Sequence, residues 1–197
     1  MLTKKEADKV VKKINGEIRG IAFNANCDFI FQAKGLRGIK KLETKMAELG
    51  FPFECKDIRP MDFYPMKTAV IFMLAVKEVF NFSDKKFEEI GASSVKFNLF
   101  LKIFMKYFSS LDLIASQVPN LWRKHYTIGD LEMTEYSKEK RYIILRLKDF
   151  FIHPIYCSNF KGYFTKIAEM TLKYKVKCEE TKCVFRGNPY HEFLITW

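Results

Sequence analysis

The feature that most constrains this fold is a change of hydrophobic period near residue 127. Upstream, apolar residues recur every three or four positions, as on an amphipathic helix; downstream they alternate, as on a strand. Residues 3–14 place Val10, Val11 and Ile14 on one side. Leu36–Leu49 repeats through Leu36, Ile39, Leu42, Met46 and Leu49 and then meets Gly50, a C-terminal stop. Pro65 is placed to open a helix over 66–80, because a first-turn proline forfeits no intrahelical hydrogen bond. That helix is apolar almost all round, which suits the centre of a core or an interface between copies. Ser83 caps a short helix ending at Gly91, and a longer one spans 94–116, with Pro119 ending that region.

Past the change of period, 127–136 and 141–150 read as strands around a polar turn at 137–140. Pro154 opens a helix over 155–172, and strands at 174–178 and 190–197 follow. On the last, His191, Phe193, Ile195 and Trp197 share one face. One upstream stretch departs from the helical repeat: 16–32 reads as two short strands with Asn24-Ala25-Asn26 as a hairpin turn. The expected class is α/β (α+β), a helical N-terminal layer packed with a small antiparallel sheet and a β-β-α-β-β C-terminal half. No linker or repeat divides the chain, so one domain over 1–197 is expected, with 1–15 as an N-terminal helix.

Composition limits the function. The longest apolar run, Ala69–Val76, is eight residues, far short of the roughly 20 that span a bilayer. No apolar stretch follows the N-terminal lysines, so no secretory signal is read and a soluble, cytoplasmic protein is expected. The 34 Lys and Arg against 23 Asp and Glu give +11, which favours encounter with nucleic acid or anionic surfaces without specifying either. Basic residues never stand more than two in a row, so a solvated surface is the simpler reading. The five cysteines, an odd number without an export signal, read as thiols or metal ligands rather than a disulfide framework.

None of the phosphate-loop, dinucleotide, nucleophile-elbow or zincin motifs occurs, and catalysis is not expected. The densest chemical cluster is Glu180-Thr181-Lys182-Cys183-Val184-Phe185-Arg186-Gly187-Asn188-Pro189-Tyr190-His191, with Cys178 just upstream and Cys157 opening the preceding helix. A Gly-Asn-Pro turn between Cys183 and His191 lets a thiolate and an imidazole converge, as tetrahedral zinc requires. The alternative is that Cys183 is a small buried hydrophobe and His191 a bonded strand residue. The 20 Phe, 9 Tyr and 2 Trp are core rings or the lining of a pocket for a flat or hydrocarbon ligand. His153-Pro154 reads as a turn rather than a haem ligand.

Cys157-x4-Gly162-Tyr163, then Glu180-x2-Cys183-x3-Gly187-x3-His191-x-Phe193, resembles the 4-vinyl reductase domain, with His191 where that pattern has its second cysteine. Tyr64-Pro65, Phe87-x2-Ile90-Gly91 and the closing Trp197 resemble a myxobacterial family of the same superfamily, which also holds the TRAPP trafficking subunits and haem-nitric-oxide-binding-like proteins. The resemblance implies a hydrophobic ligand pocket, sensory or scaffolding roles and frequent dimers. Tyr136-Ser137-x3-Arg141 has the residue types of the haem branch's Tyr-x-Ser-x-Arg clamp without its spacing, so haem is not expected.

The sequence thus reads as a non-catalytic ligand-binding or sensory domain for a small hydrophobic molecule, forming a homodimer. Pocket candidates are Phe104, Phe108, Trp122, Tyr156, Phe160 and Phe164, and metal candidates, for zinc, are Cys157, Cys178, Cys183 and His191. Two rivals stand beside it. A basic nucleic-acid-associated regulator would show a one-sided Lys/Arg face and steeply salt-dependent binding. A structural interaction subunit resembling the TRAPP scaffolds would have a filled interior and an exposed apolar patch.

Overall fold

The computed structural model describes residues 2–95 and 110–197. Helix α1 (Lys4–Val11) starts at a capping box, Thr3 and Glu6 each bonding the other's backbone N–H. It is held by the Leu2 N–H, which donates to Glu78 at 2.6 Å, while Lys45 Nζ pairs with Glu78 at 2.8 Å. Strand β1 (Glu17–Arg19) pairs antiparallel with β2 (Phe63–Pro65).

Between these strands the structure departs from the expected hairpin. Residues 21–48 form one long helix, α2 (Ile21–Glu48), kinked at Gly35 where φ is 65°. Phe23, Cys27 and Ile30 are buried at helical spacing, and this repeat outweighs the turn preference of the two asparagines. Helix α3 (Met66–Phe80) begins directly after Pro65 as expected, and its all-round apolar surface is core, with Val70, Ile71, Phe72 and Met73 at most 1% exposed.

Helix α4 (Asp84–Ser94) runs on through Gly91 instead of stopping there, because that glycine is a packing device. It lies against the Asn159 carbonyl of α6 (Ile155–Leu172), and Gly162 of α6 lies against the Glu88 carbonyl of α4. A Cβ at either position would overlap backbone, so the two glycines let the helices cross at close approach. Helix α5 (Leu111–Arg123) likewise continues past Pro119. Its last turn is anchored by Trp122, whose indole N–H donates to the Ile128 and Gly129 carbonyls and whose ring stacks on Tyr126 at 4.1 Å. That anchoring offsets the hydrogen bond the proline cannot make.

The C-terminal half follows the expected order. Strands β3 (Asp130–Ser137), β4 (Tyr142–Lys148), β5 (Lys177–Lys182) and β6 (His191–Thr196) form one antiparallel sheet in the order β3-β4-β6-β5. Ile143, Leu145 and Leu147 of β4 and His191, Phe193 and Ile195 of β6 face inward, where Phe160, Phe164 and Ala168 of α6 meet them. Among the described residues no helix is long and apolar enough to cross a membrane.

Candidate metal centre and apolar cavity

Cys157 lies in the first turn of α6, Glu180 near the end of β5, Cys183 just beyond it and His191 at the start of β6. On a regular strand Glu180 and Cys183, three apart, would face opposite ways. A register irregularity between Glu180 and Lys182 breaks that alternation, as a bulge does when it re-aims a side chain. The chain then returns through a tight turn. Cys183 N–H donates to Asn188 Oδ1 at 3.0 Å, Asn188 N–H donates to the Cys183 carbonyl at 3.2 Å, and Gly187 supplies φ 85°.

The result is a tetrad whose ligand atoms all lie within 4.8 Å of one another. Cys157 Sγ is 3.7 Å from Cys183 Sγ and 3.9 Å from His191 Nδ1. Two Zn–S bonds of about 2.3 Å at the tetrahedral angle put the sulfurs about 3.7 Å apart. His191 Nε2 lies 3.2 Å from the Phe150 carbonyl. Its Nδ1 lies 2.9 Å from Glu180 Oε1; with a metal bound, an Nε2–H donating to the Phe150 carbonyl would leave the Nδ1 lone pair for it, the arrangement by which a metal-binding histidine is oriented. Arg186 Nη2 donates to Glu180 Oε2 at 3.2 Å and to its carbonyl at 3.0 Å, fixing that carboxylate.

Without a metal the cluster is held by its own hydrogen bonds. Burial raises the Cys157 thiol far above the usual thiol range, and the neighbouring Glu180 and Cys183 push it the same way. Burial also works to raise Glu180, but hydrogen bonds from His191 and Cys157 outweigh it and keep its pKa below the ordinary carboxylate value. Two sulfurs, an imidazole and a carboxylate converge, a donor set of the kind that binds a divalent cation.

Two of the sequence expectations about sulfur are corrected. Cys178 is not in the tetrad: it pairs in register with Ile195 and sits against Thr165 of α6, its thiol pushed up to about 12 chiefly by burial. Glu180, two residues along on the same face, takes the fourth position. Cys27 of α2 and Cys55, in a short 3-10 turn, are joined as a disulfide with Cα atoms 6.0 Å apart, so those two are not free thiols.

The predicted pocket rings come together where they are described. Trp122, Tyr156, Phe160 and Phe164 form a chain of contacts, with Trp122–Phe160 at 5.5 Å, Tyr156–Phe160 at 5.7 Å and Phe160–Phe164 at 5.7 Å. Phe104 and Phe108 lie outside the described residues. Two chambers flank the chain. One, of about 100 Å³, lies between α5, α6 and the inner sheet face and is lined by side chains such as Leu111, Val118, Leu145, Phe164, Ala168 and Ile195. The other, of about 50 Å³, is edged by Ile18, Phe23, Met73, Tyr156 and Asn159. His125, Tyr126 and Tyr163 belong to the walls of both. Nothing in the spacing of His125 and Tyr126 marks them in the sequence. Burial and the adjacent Arg19 and Lys124 charges depress His125 to about 4, so its imidazole is neutral at physiological pH.

No family model matches the chain, and no curated protein matches it. The 4-vinyl reductase and TRAPP resemblance therefore gains no support. Solved structures do match. An H-NOX protein from S. oneidensis in the Fe(II)NO ligation state aligns with TM-score 0.68 at 15% identity, over 90% of this chain and 98% of that one. An Fe(II) unliganded H-NOX protein from K. algicida aligns with TM-score 0.63 at 14% identity, over 91% and 96%. A structure titled for the function of heme distortion in the H-NOX family aligns with TM-score 0.63 at 14% identity, over 91% and 95%. The chain shares the H-NOX fold.

The expectation that set haem aside is thereby corrected, since structures of this fold are titled for their heme. In chemistry the described residues suit it in part: aromatic faces, an apolar wall and the neutral His125 imidazole, the form that binds iron. As the described residues bound them, the chambers measure about 50 and 100 Å³, against the roughly 300 Å³ at which cofactor sites begin.

Proposed function

We propose that this protein is a non-catalytic sensory domain that takes a small apolar molecule into the chamber between α5, α6 and the sheet, with a zinc ion held by Cys157, Glu180, Cys183 and His191. The observation that carries the reading is the chamber of about 100 Å³, lined almost wholly by apolar side chains. A well-packed interior leaves few voids larger than a water molecule; a dry apolar cavity of about 150 Å³ holds benzene, so this chamber has to widen to take a ligand of that size. The shared H-NOX fold, one of whose structures is titled for H-NOX activation, supports a sensory rather than a scaffolding role. The zinc assignment rests on the sulfur spacing and on His191 being oriented from behind by the Phe150 carbonyl.

Native mass spectrometry of freshly purified protein, with millimolar benzene and then hemin titrated in, tests this reading. The expected results are a zinc mass on the monomer or dimer and a benzene-dependent rise in Tm that Ala168→Leu abolishes by filling the chamber. A hemin Soret band lost in His125→Ala would replace benzene-like ligands with haem. Nucleic-acid binding that falls steeply with salt would favour the basic regulator instead. Protein that carries no zinc and ignores both benzene and hemin would sink the proposal.

A further inference from the structure

The metal tetrad and the apolar chamber share their supporting elements. Helix α6 carries Cys157 in its first turn and, further along, Phe164 and Ala168 on the chamber wall. Strand β6 carries His191 at its start and Ile195 on the same wall. Cys157 directly follows Tyr156, a wall of the smaller chamber.

Two side-chain routes connect the same places. The Phe150 carbonyl that orients His191 belongs to a residue whose ring lies edge-on to Trp122 at 5.6 Å and to Phe160 at 5.3 Å. The His191 ring is parallel to Phe193 at 6.5 Å, and Phe193 meets Phe164 edge-on at 5.0 Å. Close-packed interiors transmit displacements of this kind.

We infer that zinc and the apolar ligand bind as one coupled equilibrium, each tightening the other. This rests on the two sites assigned above. Contact alone does not transmit free energy. A metal that draws Cys157 and His191 to a common point fixes the spacing of α6 and β6, and that spacing sets one side of the chamber, where Phe164 and Ala168 face Ile195. The ligand then no longer has to remove that freedom itself, which is positive cooperativity through conformational entropy.

The experiment is a thermodynamic cycle on the full chain. The zinc Kd is measured by competition with a chromophoric chelator, without benzene and with benzene at saturation. The benzene Kd is then measured on zinc-free and zinc-loaded protein. The expectation is a shift of about fivefold or more toward tighter binding, equal in both directions because linkage is reciprocal. In Ala168→Leu benzene should leave the zinc Kd unchanged, which separates occupancy of the chamber from a solvent effect; Leu145→Phe serves the same purpose if the first variant folds poorly. Zinc and benzene that both bind with independent constants overturn the coupling and leave the two sites standing. Failure of either to bind overturns the sites, and the coupling with them. A zinc-free chain that unfolds would show coupling in its extreme form, read as loss of benzene binding restored by zinc.

Discussion

The molecule holds two cysteine pairs that differ in what surrounds the sulfur. Cys27 and Cys55 join the kinked helix α2 to the loop ahead of β2 and are covalently bonded, with the Glu43 carboxylate accepting the Cys55 N–H at 2.9 Å. Cys157 and Cys183 stand 3.7 Å apart with the Glu180 carboxylate and the His191 imidazole beside them. A cation-shaped site needs donors of different types converging on one point, and the C-terminal pair has them. Among the described residues the N-terminal pair belongs to no such cluster and closes a loop instead. Identical residues therefore do different work because of the side chains the fold brings to them.

The largest effect should come from disturbing the C-terminal pair. If the tetrad holds zinc as proposed, Cys183→Ser, or exhaustive EDTA, is expected to lower Tm by about 10 °C or more, because the free energy of metal binding is lost from the folded state. Calorimetry with parallel zinc analysis checks it; a Tm indifferent to EDTA would erase the contrast between the pairs.

Breaking the N-terminal pair should cost less. For a loop closed over a sequence separation of 28, chain-entropy reasoning gives about 3.6 kcal/mol. Cys27→Ser should lose roughly that in urea unfolding while keeping its zinc content. A loss of zinc in that variant would show that the two regions are not independent.

Gly162→Ala probes the joint between the regions, where α6 lies against the Glu88 carbonyl of α4. Backbone cannot swing aside, so a destabilisation of about 2 kcal/mol is expected from forcing the helices apart. An unchanged urea midpoint would mean that the crossing has slack.

The smallest effect is a pH dependence centred on His125, which lies between the regions. Its folded pKa is depressed to about 4, chiefly by burial, against about 6.5 when unfolded. Below about pH 6.5 the unfolded chain binds the extra proton, so stability falls between pH 6.5 and 4. Water reaching the ring limits the loss to about 1–2 kcal/mol. Urea midpoints across that range, compared with His125→Gln, isolate it. A variant with the same pH slope would assign the dependence to other groups.

Much of the C-terminal half was legible because its signals are local. The helix 155–172, the turn at 137–140 and the inward face of β6 follow from proline placement, polar turn residues and alternation. The stretch 16–32 was misread because two asparagines suggested a turn, whereas Phe23, Cys27 and Ile30 find their partners on α3 and the following loop, far along the chain. The site was legible in part. Cys157, Cys183 and His191 stood out by type and spacing, but Glu180 displaced Cys178 through a strand irregularity that no residue type announces.

By itself the sequence determined the order of elements and the supply of rings and thiols, since periodicity, proline and glycine act within a few residues of themselves. Which sulfurs bond, which meet a carboxylate and an imidazole, and where a chamber is left between α5, α6 and the sheet were decided only by tertiary structure. These depend on distances between residues tens of positions apart, and packing sets those distances after local preference has spoken.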